Sequence, residues 1–135
     1  MVHKCTIRTR YCESDSLGHI NNVSYLIYLE QARVDFMLDN EIIPSIENWP
    51  FVLASIHCDY IKQVYVNQTL SISSFVVEIG QSSFKLANEI RDRQTDELLA
   101  FGEAVIVHFD FTKQKSSPIP DEMRRKLEVY KKISV

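Results

Sequence analysis

The chain has 135 residues, 45% of them hydrophobic and 24% charged, which is typical of a single globular domain with one hydrophobic core. Its 15 Lys and Arg against 18 Asp and Glu give a net charge of −3, which is too weak and of the wrong sign for a general nucleic-acid binder. The three glycines lie far apart, so the sequence contains neither a dinucleotide-binding fingerprint nor a P-loop.

The cysteines and the apolar segments indicate where the protein acts. Cys5, Cys12 and Cys58 are odd in number and lack C-x-x-C spacing, so they predict neither a metal or redox site nor a disulfide framework. The N-terminus has no signal-peptide core, and no apolar run is long enough to span a bilayer. The four histidines are scattered without the spacing of metal ligands. We therefore expect a cytoplasmic protein that binds neither a metal nor a membrane.

A strand and a long helix are predicted in the first 40 residues. Residues 4–11 alternate in character and predict a strand, which the polar residues 13–19 end. Residues 22–39 then have a helical period, and the Asn21-Asn22 pair supplies an N-cap. The first turns of this helix have almost no polar face, and a helix that is apolar all round is enclosed by protein. We therefore expect a central helix.

The chain beyond this helix shows mainly strand signals. They cover residues 51–66, 69–79, 83–93 and 97–111. Because only short breaks separate them, consecutive strands are predicted to pair as antiparallel hairpins. A sheet of such long strands must curl, most simply around the one apolar helix, and a short surface helix follows over residues 121–132. The predicted fold class is therefore α+β, a curved antiparallel sheet wrapped around a central helix.

Three further patterns concern packing. Glu30 and Arg33 are three residues apart on the helix, which predicts an intrahelical ion pair. His57 lies in a strand, where successive side chains point to opposite faces, so we interpret it as a packed or edge histidine. Small residues that leave room for a close neighbour alternate along the last strand, at Ala100, Gly102 and Ala104.

A dense polar segment precedes the apolar helix. It contains Glu13, Ser14, Asp15, Ser16, His19, Asn21 and Asn22. In one interpretation, one of these side chains caps the helix and the others face water. In the other, the unpaired N–H groups and the positive end of the helix dipole bind an oxyanion, and Gly18 folds the chain so that Asp15 stands beside them. The second arrangement is a base or nucleophile facing an oxyanion hole.

The same segment resembles a known family signature. Residues 11–33, YCESDSLGHINNVSYLIYLEQAR, resemble the Asp-x-Asp-x-x-Gly-His-Val-Asn-Asn signature and following helix of the 4-hydroxybenzoyl-CoA thioesterase family. Looser similarity continues through residues 59–62, 80–84, 97–102 and 118–122. The family consists of acyl-CoA thioesterases with the hot-dog fold, so the resemblance implies that residues 1–135 form one hot-dog thioesterase domain that hydrolyses a fatty or aromatic acyl-CoA.

The resemblance also implies roles for individual residues. The family's catalytic carboxylate corresponds to Asp15, and the backbone N–H that polarises the thioester carbonyl lies at or near Asn22. Gly18 and His19 shape the turn between them. This sequence has Glu13 where the family has its first Asp, a second carboxylate that could assist Asp15.

Substrate contacts and assembly are implied in the same way. Lys62 could face a phosphate of CoA, and Ser82 and Ser83 correspond to a stretch near the pantetheine arm. In the family the cleft forms between two subunits, which implies a homodimer or homotetramer. CoA enters as part of the substrate, so no cofactor is expected. Gln63 stands where many relatives have Pro, which affects the shape of the substrate groove.

The residues leave the mechanism and some alternatives open. A thiolate has a pKa of roughly 8.5 and leaves with little help from a general acid, so no serine triad is required. Asp15 could attack the carbonyl to form a mixed anhydride, or it could act as a base for water. An acyl carrier protein could replace CoA as the thiol carrier. A non-catalytic module that binds acyl thioesters or lipids is the alternative of a different class, although a carboxylate beside the helix terminus favours the hydrolase.

Overall fold

A long antiparallel sheet curls around one helix in the computed structural model, which describes residues 1–15 and 17–132. Ser16 of the polar segment lies outside the described residues. Short 3-10 turns lie at Tyr11–Glu13 and Ile46–Asn48. The strands and helices are, in chain order, β1 (His3–Arg8), α1 (Asn22–Asp39), β2 (Phe51–Tyr60), β3 (Thr69–Ile79), β4 (Ser83–Asp92), β5 (Leu98–Asp110), β6 (Lys115–Ser116) and α2 (Asp121–Val129). This architecture confirms the predicted fold class.

The order of the strands corrects one prediction. The sheet runs β1-β3-β4-β5-β2, with β6 beside β5. β3, β4 and β5 are consecutive hairpins, but β2 pairs with β5 and not with β3. The predicted hairpin between residues 51–66 and 69–79 was therefore wrong. The chain bends after β2 because the amides of Ile61 and Lys62 both donate to the Leu99 carbonyl at 3.0 Å, and residues 61–68 then cross the end of the sheet.

Helix α1 packs closely against the middle of the sheet. It spans Asn22–Asp39, as the helical period predicts, and Leu29, Ala32 and Phe36 on it are fully buried. A Cβ atom built at Gly102 on β5 would lie 2.7 Å from Cδ1 of Leu29. The row of small residues on β5 therefore leaves room for the close approach of Leu29, as the sequence predicted for a neighbouring element.

Replacing Gly102 with Ala is expected to lower the free energy of unfolding by about 1–3 kcal/mol, because the new methyl group overlaps the fully buried Leu29 side chain. Urea unfolding measures the loss. Gly80→Ala is the matched control, since a Cβ there meets Ser83 at an ordinary 3.4 Å. Equal losses in the two variants would show that the approach of Leu29 is not the cause.

One side of α1 is open, which departs from the expectation that protein surrounds the helix. Val23 and Ile27 in its first turns are 56% and 50% exposed. The predicted ion pair on this helix does not form within the described residues. Glu30 faces solvent, whereas Arg33 is buried and its Nη1 has no hydrogen-bond partner there.

The C-terminal helix is shorter than predicted. α2 ends at Val129, because Tyr130 and Lys131 leave the helix to join the sheet, where the Tyr130 carbonyl accepts the amide of Val76 at 2.9 Å. Leu127 is fully buried in the hydrophobic core. Leu127 therefore anchors the helix to the core, while five of its nine residues are exposed, as predicted for a surface helix. Within the described residues, no helix combines the length and apolar character needed to cross a membrane.

Candidate active site

The polar segment forms a narrow ribbon that leads into α1. The amide of Asn21 donates to the carbonyl of Glu13 at 2.8 Å, and two residues further along the amide of Asp15 donates to the carbonyl of His19 at 2.8 Å. Gly18 closes the ribbon with a φ of +81°, a left-handed conformation that glycine adopts without strain. The chain therefore reverses between Asp15 and His19 and returns to the start of the helix.

Asp15 organises this turn through one of its carboxylate oxygens. Oδ1 accepts the amides of Leu17 at 2.8 Å and His19 at 3.2 Å, and the side chain is exposed. Two residue steps separate Asp15 from the Glu13–Asn21 pair, roughly 7 Å along the ribbon. Asp15 does not line a cavity within this one chain, as far as the described residues show.

The first amide of α1 is available to a ligand. Asn21 is the N-cap, and its side chain accepts the amide of Val23 at 2.8 Å. The amide of Ser24 donates to the Asn21 carbonyl at 2.9 Å. The amide of Asn22 has no acceptor among the described residues. It lies at the positive end of an 18-residue helix, where an oxyanion is stabilised.

A cavity of about 580 Å³ opens beside Asn22. Its walls include Asn22 and two tyrosines, Tyr25 and Tyr60, whose rings meet edge to face at 4.9 Å. The Tyr60 hydroxyl donates to the Asn22 carbonyl at 3.2 Å. The volume is within the range of small-molecule sites, and the helix terminus forms part of its wall.

Lys62 lies in the same cavity and is paired with a carboxylate. Its Nζ is 2.6 Å from Oε2 of Glu97, and about half of each side chain is exposed. Gln63 also lines the cavity. The crossing segment that follows β2 therefore places a cation beside the helix terminus.

Ser82 and Ser83 lie far from this cavity within one chain. Ser82 lies in the tight turn between β3 and β4, and Ser83 is the first residue of β4. Ser83 pairs with Val107 on β5, whereas Tyr60 pairs with Ala100. Seven positions on β5 separate these partners, roughly 23 Å along the strand. The turn is thus at the opposite end of the sheet from Asn22.

Glu13 holds the ribbon in place and does not extend alongside Asp15. It lies in a 3-10 turn and is only 9% exposed. Its carboxylate accepts the Tyr28 hydroxyl at 2.8 Å, the amide of Arg10 at 2.8 Å and the Arg10 guanidinium at 3.1 Å. Burial alone would raise the pKa of Glu13, but the hydrogen bonds from Tyr28 and Arg10 together lower it below its usual value.

Several side chains at this site were not identified from the sequence. Tyr60 and Glu97 line the cavity, and the ring of Tyr65 meets the His19 ring edge to face at 5.2 Å. Tyr60 and Glu97 approach each other because β2 pairs with β5, and Tyr65 reaches His19 because residues 61–68 cross the end of the sheet. Their aromatic and acidic character was the available signal, but no spacing rule connects them.

The thiols and histidines show no competing site. Burial, with Asp35 and Asp39 nearby, raises the pKa of the Cys5 thiol to about 11, which keeps it protonated and unreactive. His57 is exposed on the edge strand β2, with Nε2 2.8 Å from Oδ1 of Asp59. No group of three His, Cys, Asp or Glu side chains in the described part of the chain could hold a metal ion.

Comparison with known proteins establishes the family. A sequence model of the thioesterase-like superfamily matches residues 9–127. The long-chain acyl-CoA thioesterase FadM of Escherichia coli is 27% identical over 124 residues, covering 90% of this chain and 94% of that protein. The acyl-CoA thioesterase YbgC of Helicobacter pylori is 31% identical over 83 residues, 62% of each chain.

A solved structure agrees with this sequence match. A predicted thioesterase from Bacillus stearothermophilus superposes with a TM-score of 0.88 at 27% identity, covering 100% of both chains. A curled sheet around a central helix and the family match define the class, a thioester hydrolase with the hot-dog fold. The chain belongs to the thioesterase-like superfamily.

Proposed function

We propose that the protein hydrolyses an acyl-CoA thioester to a free acid and CoA, with Asp15 as the nucleophile or general base. The observation that carries the proposal is the amide of Asn22, which has no acceptor among the described residues and begins the central helix at a residue that lines a 580 Å³ cavity. The turn that contains Gly18 and His19 holds Asp15 two residue steps along the ribbon from the Glu13–Asn21 pair, which directly precedes Asn22. CoA enters as part of the substrate, so the proposal includes no cofactor.

The chemistry needs only these groups. The amide of Asn22 and the helix dipole stabilise the tetrahedral oxyanion, and the loss of one such donor typically costs about 3 kcal/mol. The thiolate leaves without a strong general acid. Asp15 either forms a mixed anhydride that water hydrolyses or removes a proton from the attacking water.

The acyl group is proposed to be fatty or aromatic. The relative FadM is named a long-chain acyl-CoA thioesterase, and aromatic rings form part of the wall beside the proposed carbonyl site. A cytoplasmic location is proposed as well, because the three cysteines are free thiols, which suits a reducing compartment.

A thiol-release assay with a panel of acyl thioesters tests this function. The panel contains acyl-CoAs of increasing chain length, an aromatic acyl-CoA and one matched acyl group on an acyl carrier protein. Release of free thiol from at least one acyl-CoA is the expected result. Saturable binding without any release would favour the non-catalytic module, and release from the carrier-protein substrate alone would reassign the thiol carrier.

We propose that the active cleft is completed by a second copy of the chain. The outer edge of β2 has no partner strand among the described residues, and the apolar side chains Leu53 and Ile56 on it are exposed beside Val23 and Ile27 of α1. Antiparallel pairing of two β2 edges would bring opposite ends of the two sheets together. The partner subunit's Ser82 would then lie at the same end as Asn22.

Mixing two inactive variants tests this arrangement. Asp15→Asn removes the carboxylate of one subunit, and Ser82→Tyr places a bulky side chain on the turn that the other subunit supplies. Random mixing of a two-fold dimer gives half heterodimers with one intact cleft each, so activity should recover to about a quarter of wild type. No recovery, with heterodimers shown to form, would overturn the proposal that the partner's Ser82 completes the cleft.

Lys62 is proposed to contact a CoA phosphate. Lys62→Gln should raise KM for acyl-CoA by only about two- to fivefold, because a solvent-exposed ion pair contributes little binding energy, and kcat should stay unchanged. Glu97→Gln should lower KM, because it releases the ammonium from the carboxylate 2.6 Å away. Both changes should shrink at high salt. Equal KM values in both variants and wild type would remove Lys62 from the phosphate site.

A further inference from the structure

The segment in which β3 turns into β4, residues 80–83, is held in place through all four of its carbonyls. The amide of Ile119 donates to the Gln81 carbonyl at 2.9 Å. The amide of His108 donates to the Ser82 carbonyl at 2.8 Å, and the first amide of the turn donates to its last carbonyl at 2.7 Å. The amides of Gln81 and Ser82 have no acceptor among the described residues, so the donors of this β3–β4 turn are left for a ligand.

The first carbonyl of the β3–β4 turn is held by a side chain from α2. Nη2 of Arg124 donates to the Gly80 carbonyl at 2.9 Å and also to the Gln81 carbonyl at 3.3 Å. The other donors to the carbonyls of the turn are backbone amides, which almost any residue supplies. Within the described residues, Arg124 is therefore the one side chain whose replacement removes hydrogen bonds from these carbonyls.

Arg124 supports this turn and not its own helix. It is the fourth residue of α2, and a positive charge near the N-terminal end of a helix is opposed by the helix dipole. Asp121 and Glu128 lie three and four residues away, the usual spacing for an ion pair, yet the hydrogen bonds of Arg124 in the described part of the chain go to the turn. Leu127 is fully buried and holds this part of α2 against the core.

We propose that Arg124 is a positioning residue for the thioester site of the partner subunit and acts through the β3–β4 turn. The inference rests on the proposed two-copy cleft, in which the turn with Ser82 of one subunit lies at the same end as Asn22 of the other. By the family resemblance, this turn lies near the pantetheine arm, most of which is away from the reacting carbonyl. Loosening the turn therefore weakens the binding of substrate and transition state equally, which raises KM and leaves kcat unchanged.

Arg124→Gln should raise KM for acyl-CoA at least about threefold with kcat unchanged, and should raise the Kd of CoA itself by the same factor. Arg124→Lys, whose ammonium can still donate to one carbonyl, should give intermediate values and serves if Arg124→Gln fails to fold. Arg125→Gln is the matched control, because Arg125 is the next residue of α2 and is exposed; it should leave both constants unchanged. Wild-type KM and Kd in Arg124→Gln would overturn the proposal.

Mixed dimers show which subunit Arg124 serves. In a dimer of an Asp15→Asn chain and a Ser82→Tyr chain, the one intact cleft takes its β3–β4 turn from the Asp15→Asn chain. Adding Arg124→Gln to that chain should raise KM, whereas adding it to the Ser82→Tyr chain should leave KM unchanged. The reverse pattern, or the same KM in both dimers, would overturn the proposal. Calorimetric titration with CoA needs no turnover, so a wild type that hydrolyses no acyl-CoA would contradict the proposed function while the Kd of CoA still tests Arg124.

Discussion

Asp15→Asn is expected to abolish acyl-CoA hydrolysis, with kcat falling at least about 100-fold, while the free energy of unfolding stays unchanged. The amide oxygen of Asn can still accept the amides of Leu17 and His19 that Oδ1 of Asp15 accepts. The turn is therefore retained. Asn is neither a base nor a nucleophile for this reaction, so only the chemical step is lost. Steady-state thiol release and urea unfolding measure the two effects.

Asp110→Asn is the matched control for this change. Oδ1 of Asp110 also caps a turn, by accepting the amides of Thr112 and Lys113 at 2.9 and 3.0 Å. The same substitution there should leave hydrolysis unchanged. An Asp15→Asn variant that keeps most of the wild-type kcat would remove Asp15 from the mechanism and leave it as a turn residue.

Glu13→Ala is expected to destabilise the protein by about 3 kcal/mol and to reduce hydrolysis as well. The substitution leaves the buried Tyr28 hydroxyl without its acceptor and frees the Arg10 end of the ribbon. Because that ribbon holds Asp15 and leads into Asn22, its loosening disturbs the candidate site. Urea unfolding at neutral pH and the thiol-release assay measure these losses.

The effect of Glu13 should depend on pH in a defined direction. Its pKa in the folded protein is lowered from the ordinary 4.5, so its stabilisation is present above that value and is lost as the pH falls through the lowered pKa. The stabilities of the wild type and Glu13→Ala should therefore converge in acid. Glu47→Ala, an exposed acidic residue in the other 3-10 turn, should leave stability unchanged. A difference between wild type and Glu13→Ala that persists in acid would show that ionisation is not the source.

Local structure was largely predictable from the sequence. Helix α1 was predicted over residues 22–39 and spans Asn22–Asp39, because its period and its cap are properties of neighbouring residues. The breaks between β3, β4 and β5 were correct for the same reason. The predicted partner of β2 was wrong, since pairing with β5 joins residues 40 or more positions apart and no local signal records it. That residues 1–135 form one domain stays a prediction.

The candidate site was likewise only partly predictable from the sequence. The signature placed Asp15, Gly18, His19 and Asn22 on one short segment, and the roles assigned to them stay predictions. The anchoring of Glu13 by Tyr28, fifteen residues away, became visible only when the helix lay against the ribbon. The predicted ion pair between Glu30 and Arg33 was wrong for a similar reason. Spacing predicts which side chains are close together on a helix, but it does not predict which of them the sheet buries.

The amino-acid order by itself determined the elements, the turn before the helix and the family signature, since each depends on chemistry within about twenty neighbouring positions. Tertiary folding alone decided that Lys62 meets Glu97 beside the helix terminus, that the turn with Ser82 lies at the far end of the sheet, and that Arg33 is buried with an Nη1 that lacks a hydrogen-bond partner in the described part of the chain. These placements follow from how a curled sheet closes around α1, which no stretch of the chain specifies on its own.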